Sequence, residues 1–394
     1  MSSTHIGQIT ETAAYDRTKI TAIICMVFAL MSLVGFVTHY AETLSDFSAF
    51  YVAGSMAAAQ NAQSAYDLAA FRTAYGAIFP GAPAGYGWFY PPTFLLLHEP
   101  LAAMPFQWAR GLWLVAGFGL YMVAMRSWMT RWQHWLLAAT VPAIAFHWHS
   151  GQTGFLMAAL LAFALVGLNR NNVRGDWQAG VAIGLLTIKP HLWLLIPVFL
   201  AIERRWRVIG VAGLTAALLF IMSVAIYGLE PWFAMIKSAA NGYTDNHAEQ
   251  LHLFAKMGNI SGFLRYWGWD AMSAPILFLW AVSATLVMAA LTRVRAPLAL
   301  CAAFAVLASF IIAPHNMIYD QTIFVPICAM VIASTQRFSW SPVNVSMAIL
   351  LSWPALFAIV PGLDAFPYSV VIVALAAITF AATGLQRPRR HTNG

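Results

Sequence analysis

Charge is what this sequence has least of. Asp, Glu, Lys and Arg together supply 9% of 394 residues, where a soluble domain carries about 25%. A chain that is 61% hydrophobic has too little polar surface to turn toward water, so lipid must be its solvent. Cysteine is nearly absent. Cys25, Cys301 and Cys328 all lie inside apolar runs, with no spacing for a disulfide framework or a zinc site. Also missing are a glycine-rich phosphate loop, a nucleophile elbow and an Asp-x-Asp pair of the kind that holds a nucleotide-bound metal. No cleavable leader pattern opens the chain: the apolar run near Ile20 is followed by Glu42 and Asp46 rather than by small residues, so it reads as a retained helix. The net charge of +7 does not point to nucleic acid, because the basic residues are scattered over short loops and form no face.

What is present is a succession of apolar runs. A spanning helix needs about 20 apolar residues, fewer where neighbours bury it. Spans are expected near 20–38, 108–126, 133–148, 154–169, 176–189, 191–203, 207–227, 274–291, 297–313, 318–334, 342–360 and 367–385. The reading is an all-α polytopic bundle of about 12 transmembrane helices, one membrane domain over residues 1–394, with 176–189 and 191–203 short for spanning. Threading it from a cytoplasmic N-terminus places 15 of the 21 Lys and Arg residues in inner loops, as the positive-inside rule requires. It places 10 of the 14 Asp and Glu residues outside. The tails 1–19 and 386–394 are then cytoplasmic, and the large outer loops are 39–107 and 228–273. The first loop is expected to hold an amphipathic helix from Phe47 to about Ala59 and a short interfacial or re-entrant helix over 93–104. Trp232, Trp267 and Trp269 are expected to anchor the second loop at headgroup depth.

The outer side therefore holds the titratable chemistry. Asp46 follows the first span and is flanked by Phe47, Phe50 and Tyr51. Partial desolvation would suit it to general-base work; capping the next helix is the alternative. Lys189-Pro190-His191 sits where two short runs meet. A cation there wants an anion such as a lipid phosphate, unless it simply snorkels from a helix end. Pro314-His315-Asn316-Met317-Ile318-Tyr319-Asp320-Gln321 opens another span, and an ionisable residue at that depth suggests function, with helix capping and a Tyr–Asp hydrogen bond as the alternative. His147 and His149 have the i, i+2 spacing of a metal pair, but no third ligand follows from the spacing, so a polar turn is favoured. Gln152, Asn259 and Ser261 are loop polars able to bond sugar hydroxyls.

Taken in order, these segments resemble a known family. Asp46 with its aromatic-rich helix is followed by Ala65-Tyr66-Asp67, Phe89-Tyr90-Pro91-Pro92, Glu99-Pro100-Leu101 and Leu112-Trp113. Then come Gly151-Gln152, Ile188-Lys189-Pro190, Arg204-Arg205-Trp206-Arg207, Gly258-Asn259-Ile260-Ser261, and Pro314 with Tyr319-Asp320. Over about residues 40–340 the chain resembles glycosyltransferase family 87, the polyprenol-phosphate-mannose-dependent alpha-mannosyltransferase-like proteins of bacterial envelopes. The resemblance implies a GT-C type bundle in the bacterial inner (plasma) membrane with a periplasmic active site. It implies inverting transfer of a hexosyl group, mannosyl by the family pattern, from a polyprenyl-phosphate donor to a lipid or glycan acceptor. It calls for no cofactor and no metal ligands, and leaves metal dependence open. Asp46 is the implied general base. Lys189, His191 and His315 are implied for the donor phosphate. Tyr51, Tyr90, Gln152, Asn259, Tyr319 and Asp320 are implied for donor or acceptor contact. The chain departs from the family where His191 replaces the usual Gln after Lys-Pro and where His315 directly follows Pro314. The competing expectation is a secondary transporter, which would want charges at mid-membrane and matched helix breaks in two repeats.

Overall fold

A computed structural model describes residues 45–82, 87–241 and 257–335, with isolated positions at 27, 30, 251 and 254. The expected spans 342–360 and 367–385, nearly all of 20–38, both tails, residues 39–44 and most of 242–256 lie outside the described residues. The described chain is helical, with no strand among the described residues.

The segment ahead of the first long helix folds as α1 (Phe47–Ala58), a 3-10 turn (Ala62–Tyr66), α2 (Leu68–Ile78) and α3 (Pro92–Ala102). Asp67 starts α2 by accepting from Ala70 N at 2.9 Å, the usual way a carboxylate satisfies an orphan amide. Nine of the 12 residues of α1 are buried, so this helix is a core element and not the amphipathic surface helix its position suggested. The reason lies in composition: its small and aromatic residues alternate on all sides and leave no polar face. At its centre, a Cβ on Gly54 would lie 2.3 Å from His98 O in α3, so the two helices touch backbone to backbone, as small residues allow in membrane bundles. The segment 93–104 is likewise buried on one side, through Thr93, Phe94, Leu95 and His98, and packs on α1 rather than lying free on the bilayer.

The bundle continues with α4 (Phe106–Met125), α5 (Trp132–Thr140), α6 (Pro142–Ser150), α7 (Gly154–Arg170), α8 (Val173–Leu185), α9 (Ile196–Ile202), α10 (Trp206–Tyr227) and α11 (Glu230–Asn241). After the loop come α12 (Ile260–Tyr266), α13 (Asp270–Arg293), α14 (Leu298–Ile312) and α15 (Phe324–Thr335). Among the described residues α4, α10 and α13 are long and apolar enough to cross a membrane. Their outward faces carry Ile221 at 59% and Phe278 at 68% exposure, an apolar surface suited to contact with lipid.

Four of the expected spans are broken. Pro142 splits 133–148 into α5 and α6, with Val141 held extended ahead of it, as the residue before proline prefers. The runs 176–189 and 191–203 become α8, two 3-10 turns (Leu186–Ile188 and Pro190–Trp193) and the short α9, with Pro190 again at the break. The run 318–334 opens as a 3-10 helix (Ile318–Ile323) before α15. Irregular backbone at membrane depth is tolerated only where protein surrounds it or it lines a cavity. Here the breaks meet inside the bundle.

The two ends of α7 differ in kind. At its Arg170 end, Arg205 donates to Asn171 at 2.7 Å, Arg207 pairs with Asp176 at 3.4 Å, and Thr292 donates to Glu203. Three of the basic loops read as inner are thus gathered together. The polar breaks lie at the Gly154 end, roughly 25 Å away at 1.5 Å rise per residue.

Candidate active site

Asp46 stands just ahead of α1, and its carboxylate does not cap that helix. It accepts instead from Gln152 Nε2 at 3.0 Å, across 106 residues of chain. The turn that delivers Gln152 is tightly specified. Gly151 ends α6 in the left-handed region, with φ 64°, where a Cβ would cost steric energy. That Cβ would also sit 2.8 Å from Phe47 Cβ. Trp113 of α4 donates its indole N–H to both Gly151 O (2.9 Å) and Gln152 O (3.2 Å), and its ring stacks on Phe47 with centroids 6.4 Å apart. One tryptophan therefore holds the turn against the residue that follows Asp46.

Gln152 is 7% exposed and uses both ends of its amide. Its Oε1 accepts from Tyr90 OH at 2.8 Å while its Nε2 serves Asp46. Tyr90 is fixed in turn by Tyr66, which donates to its carbonyl at 2.8 Å, and by Phe94, 4.7 Å between ring centroids. The Lys189 ammonium lies 5.6 Å from the centre of the Tyr90 ring and 5.0 Å from that of Tyr319, inside the range of cation–π attraction. Lys189 and Asp320 are 2% and 0% exposed and pair at 2.5 Å. The second carboxylate oxygen of Asp320 accepts from Met317 N at 2.9 Å. Buried charges need such pairing because desolvation is otherwise prohibitive. The anion expected for Lys189 from its position was a lipid phosphate; in this structure it is Asp320.

The histidines gather beside the lysine. His191 and His315 approach edge to face with centroids 6.3 Å apart. Burial, then the charges of Lys189 and Arg265, push the His315 imidazole down to about 3, so at neutral pH it is an uncharged hydrogen-bonding group. Asn259 caps α12 by accepting from Gly262 N at 2.5 Å, and its Nδ2 is buried without a partner. Its loop is tied to the His315 segment because Gly258 N donates to Asn316 Oδ1 at 2.8 Å.

The structure thus joins Asp46, Gln152, Tyr90, Lys189, Tyr319 and Asp320 in one contiguous set, with His191, His315 and Asn259 alongside. Tyr51 stands apart: its hydroxyl donates to Met104 O at 2.8 Å and its ring packs on Phe106, which pins α1 to the start of α4. His147 accepts from Phe155 N through Nε2 at 3.3 Å, a bond within the fold. Trp113 does more than its place in a short motif suggested, since nothing in a linear sequence says what an indole will face.

The model of glycosyltransferase family 87 matches residues 88–314, more than half of the chain. The chain belongs to glycosyltransferase family 87. No curated protein and no solved structure matches it. The family implies a membrane glycosyltransferase, which uses a sugar donor and an acceptor. The matched stretch contains Tyr90, Gln152, Lys189, His191 and Asn259, and ends before His315, Tyr319 and Asp320; Asp46 precedes it. Those four outlying residues are brought to the family core by the fold, through the Asp46–Gln152 and Lys189–Asp320 contacts.

Proposed function

We propose that this family 87 protein transfers a hexosyl group, mannosyl in the first instance, from a polyprenyl-phosphate donor to a lipid or glycan acceptor at the periplasmic face of a bacterial inner membrane. The observation that carries the reading is the connected set running from Asp46 through Gln152 and Tyr90 to Lys189. It places a carboxylate and a cation on either side of one polar spine. Glycosyl transfer from a phosphate needs both: a base where the acceptor loses its proton, and positive charge where phosphate leaves.

In this reading the acceptor hydroxyl oxygen attacks the anomeric carbon. The bond from that carbon to the phosphate oxygen breaks, and its electron pair stays on the phosphate. Asp46 takes the hydroxyl proton, and the anomeric configuration inverts. Gln152 holds the carboxylate in register through one amide hydrogen. Lys189 turns toward the phosphate while Asp320 remains held by Met317 N, and His191 and His315 supply hydrogen bonds. The exposed apolar faces of α10 and α13 fit a donor that arrives through lipid.

The test is transfer of radiolabelled sugar by purified protein from synthetic polyprenyl-phosphate mannose, then glucose, then arabinose, to total envelope lipid. Labelled product from one of these donors supports the reading. No product from any donor, together with proton- or sodium-coupled solute uptake in vesicles, would replace it with a transporter.

A further inference from the structure

Gln321 is fully buried, and neither its amide nitrogen nor its amide oxygen has a hydrogen-bond partner. Among the described residues it is the one buried side chain with two unpartnered polar atoms. A primary amide offers two donors and two acceptor lone pairs, and hiding them unpaired works strongly against folding. Such a group in a folded protein calls for a partner from outside the chain, an ordered water or a bound ligand.

Its position says what kind of partner. Gln321 lies between Asp320, which holds Lys189, and Thr322, whose Oγ1 abuts Gly154 where a Cβ would come within 2.4 Å. The 3-10 helix is thus wedged between the cation and the turn that carries Gln152. Other buried polar atoms along the same set also lack partners: Thr153 Oγ1 next to Gln152, His191 Nε2 two residues from Lys189, and Nδ2 of Asn259. A ligand that met all of these atoms would be rich in groups that both donate and accept. A pyranose is such a ligand. Two adjacent ring hydroxyls present a donor and an acceptor side by side, which is the complement of one amide edge. A bare phosphate offers acceptors alone and would leave the Gln321 oxygen unpaired.

We infer that Gln321 binds a pair of neighbouring hydroxyls on the transferred sugar and so selects which sugar enters the site. This rests on the donor reading above and adds the residue that reads the sugar itself. A buried amide that rejects a sugar lacking one hydroxyl is a strong discriminator, because loss of that partner leaves the amide unpaired again.

The experiment compares the thermal stability of purified wild type and Gln321→Met in detergent, alone, with polyprenyl phosphate, and with polyprenyl-phosphate mannose. Methionine keeps the volume and removes the amide. Without lipid, Gln321→Met should melt at the wild-type temperature or above it. Polyprenyl phosphate should stabilise both proteins equally, and the additional shift given by the sugar should vanish in the variant. Lower stability of Gln321→Met without lipid would show that the amide is bonded within the fold, and a retained sugar-dependent shift would show that another group reads the sugar. Either result overturns the inference. Failure of both lipids to stabilise wild type would instead take down the donor reading, and this inference with it.

Discussion

Lys189 and Asp320 are both buried, and neither is tolerable alone. Removing one partner of such a pair typically costs about 3–5 kcal/mol, while replacing both by apolar groups of similar size costs far less. Lys189→Met and Asp320→Leu should each lower the melting temperature sharply, and the double variant should recover most of that loss while remaining inactive. Equal losses that simply add would show that the pair does not hold the two segments together. A second residue-scale prediction concerns acid. His98 is fully buried among Phe50, Phe94 and Trp113. Burial pushes its imidazole down to about 4, against a smaller opposing effect of its bond to Phe94 O. A histidine that stays neutral in the fold binds its proton more readily when unfolded. Its contribution to stability is therefore complete above about pH 6.5 and is lost as pH falls toward 4. His98→Phe should flatten that part of a stability-versus-pH curve, and an unchanged slope would assign acid sensitivity to other groups. Of these residues, Lys189 was legible as a cation in want of an anion. That the anion stands 131 residues later was not, because ion pairing depends on helix packing and leaves no local trace.

Among the elements, hydropathy placed α4, α7, α10, α13 and α14 to within a few residues, since a long apolar run near 20 residues has one stable solution in lipid. It did not show where runs break. Apolar 3-10 turns and apolar α-helix have the same composition, and Pro142 and Pro190 were the available signs. Those breaks are where the candidate site forms, so the part hardest to read from sequence is the part that bears on function. The 151–153 turn is the most exposed to test. Gly151→Ala forces a side chain into the left-handed region, at about 1–3 kcal/mol, and drives it against Phe47. Measured side by side, stability should fall modestly while transfer falls steeply, because the displaced Phe47 carries Asp46 away from Gln152. A variant with full activity would show that the Asp46–Gln152 contact is not needed.

For the whole molecule, the charge pattern predicts an orientation: the basic loops around Asn171, Arg205 and Thr292, which meet at the Arg170 end of α7, face the cytoplasm, and the candidate site at the Gly154 end faces the other side. In a Cys25→Ser background, Cys301 and Cys328 stay buried. Lys237→Cys should then react with an impermeant maleimide from outside, and Arg295→Cys only after the membrane is opened; the reverse order would invert the topology. The family was legible in the sequence, through short ordered motifs, and sidedness is an expectation from loop charge that this labelling tests, while the joining of Asp46 to Gln152 needed the packing of α1, α4 and α6. That joining is what the account rests on, and the direct test is sugar transfer from polyprenyl-phosphate mannose by Asp46→Asn beside wild type, with matched melting temperatures. Wild type should give product of inverted anomeric configuration, with a loss of about 10²–10⁴-fold in the variant; comparable transfer by a folded Asp46→Asn would rule Asp46 out as the general base.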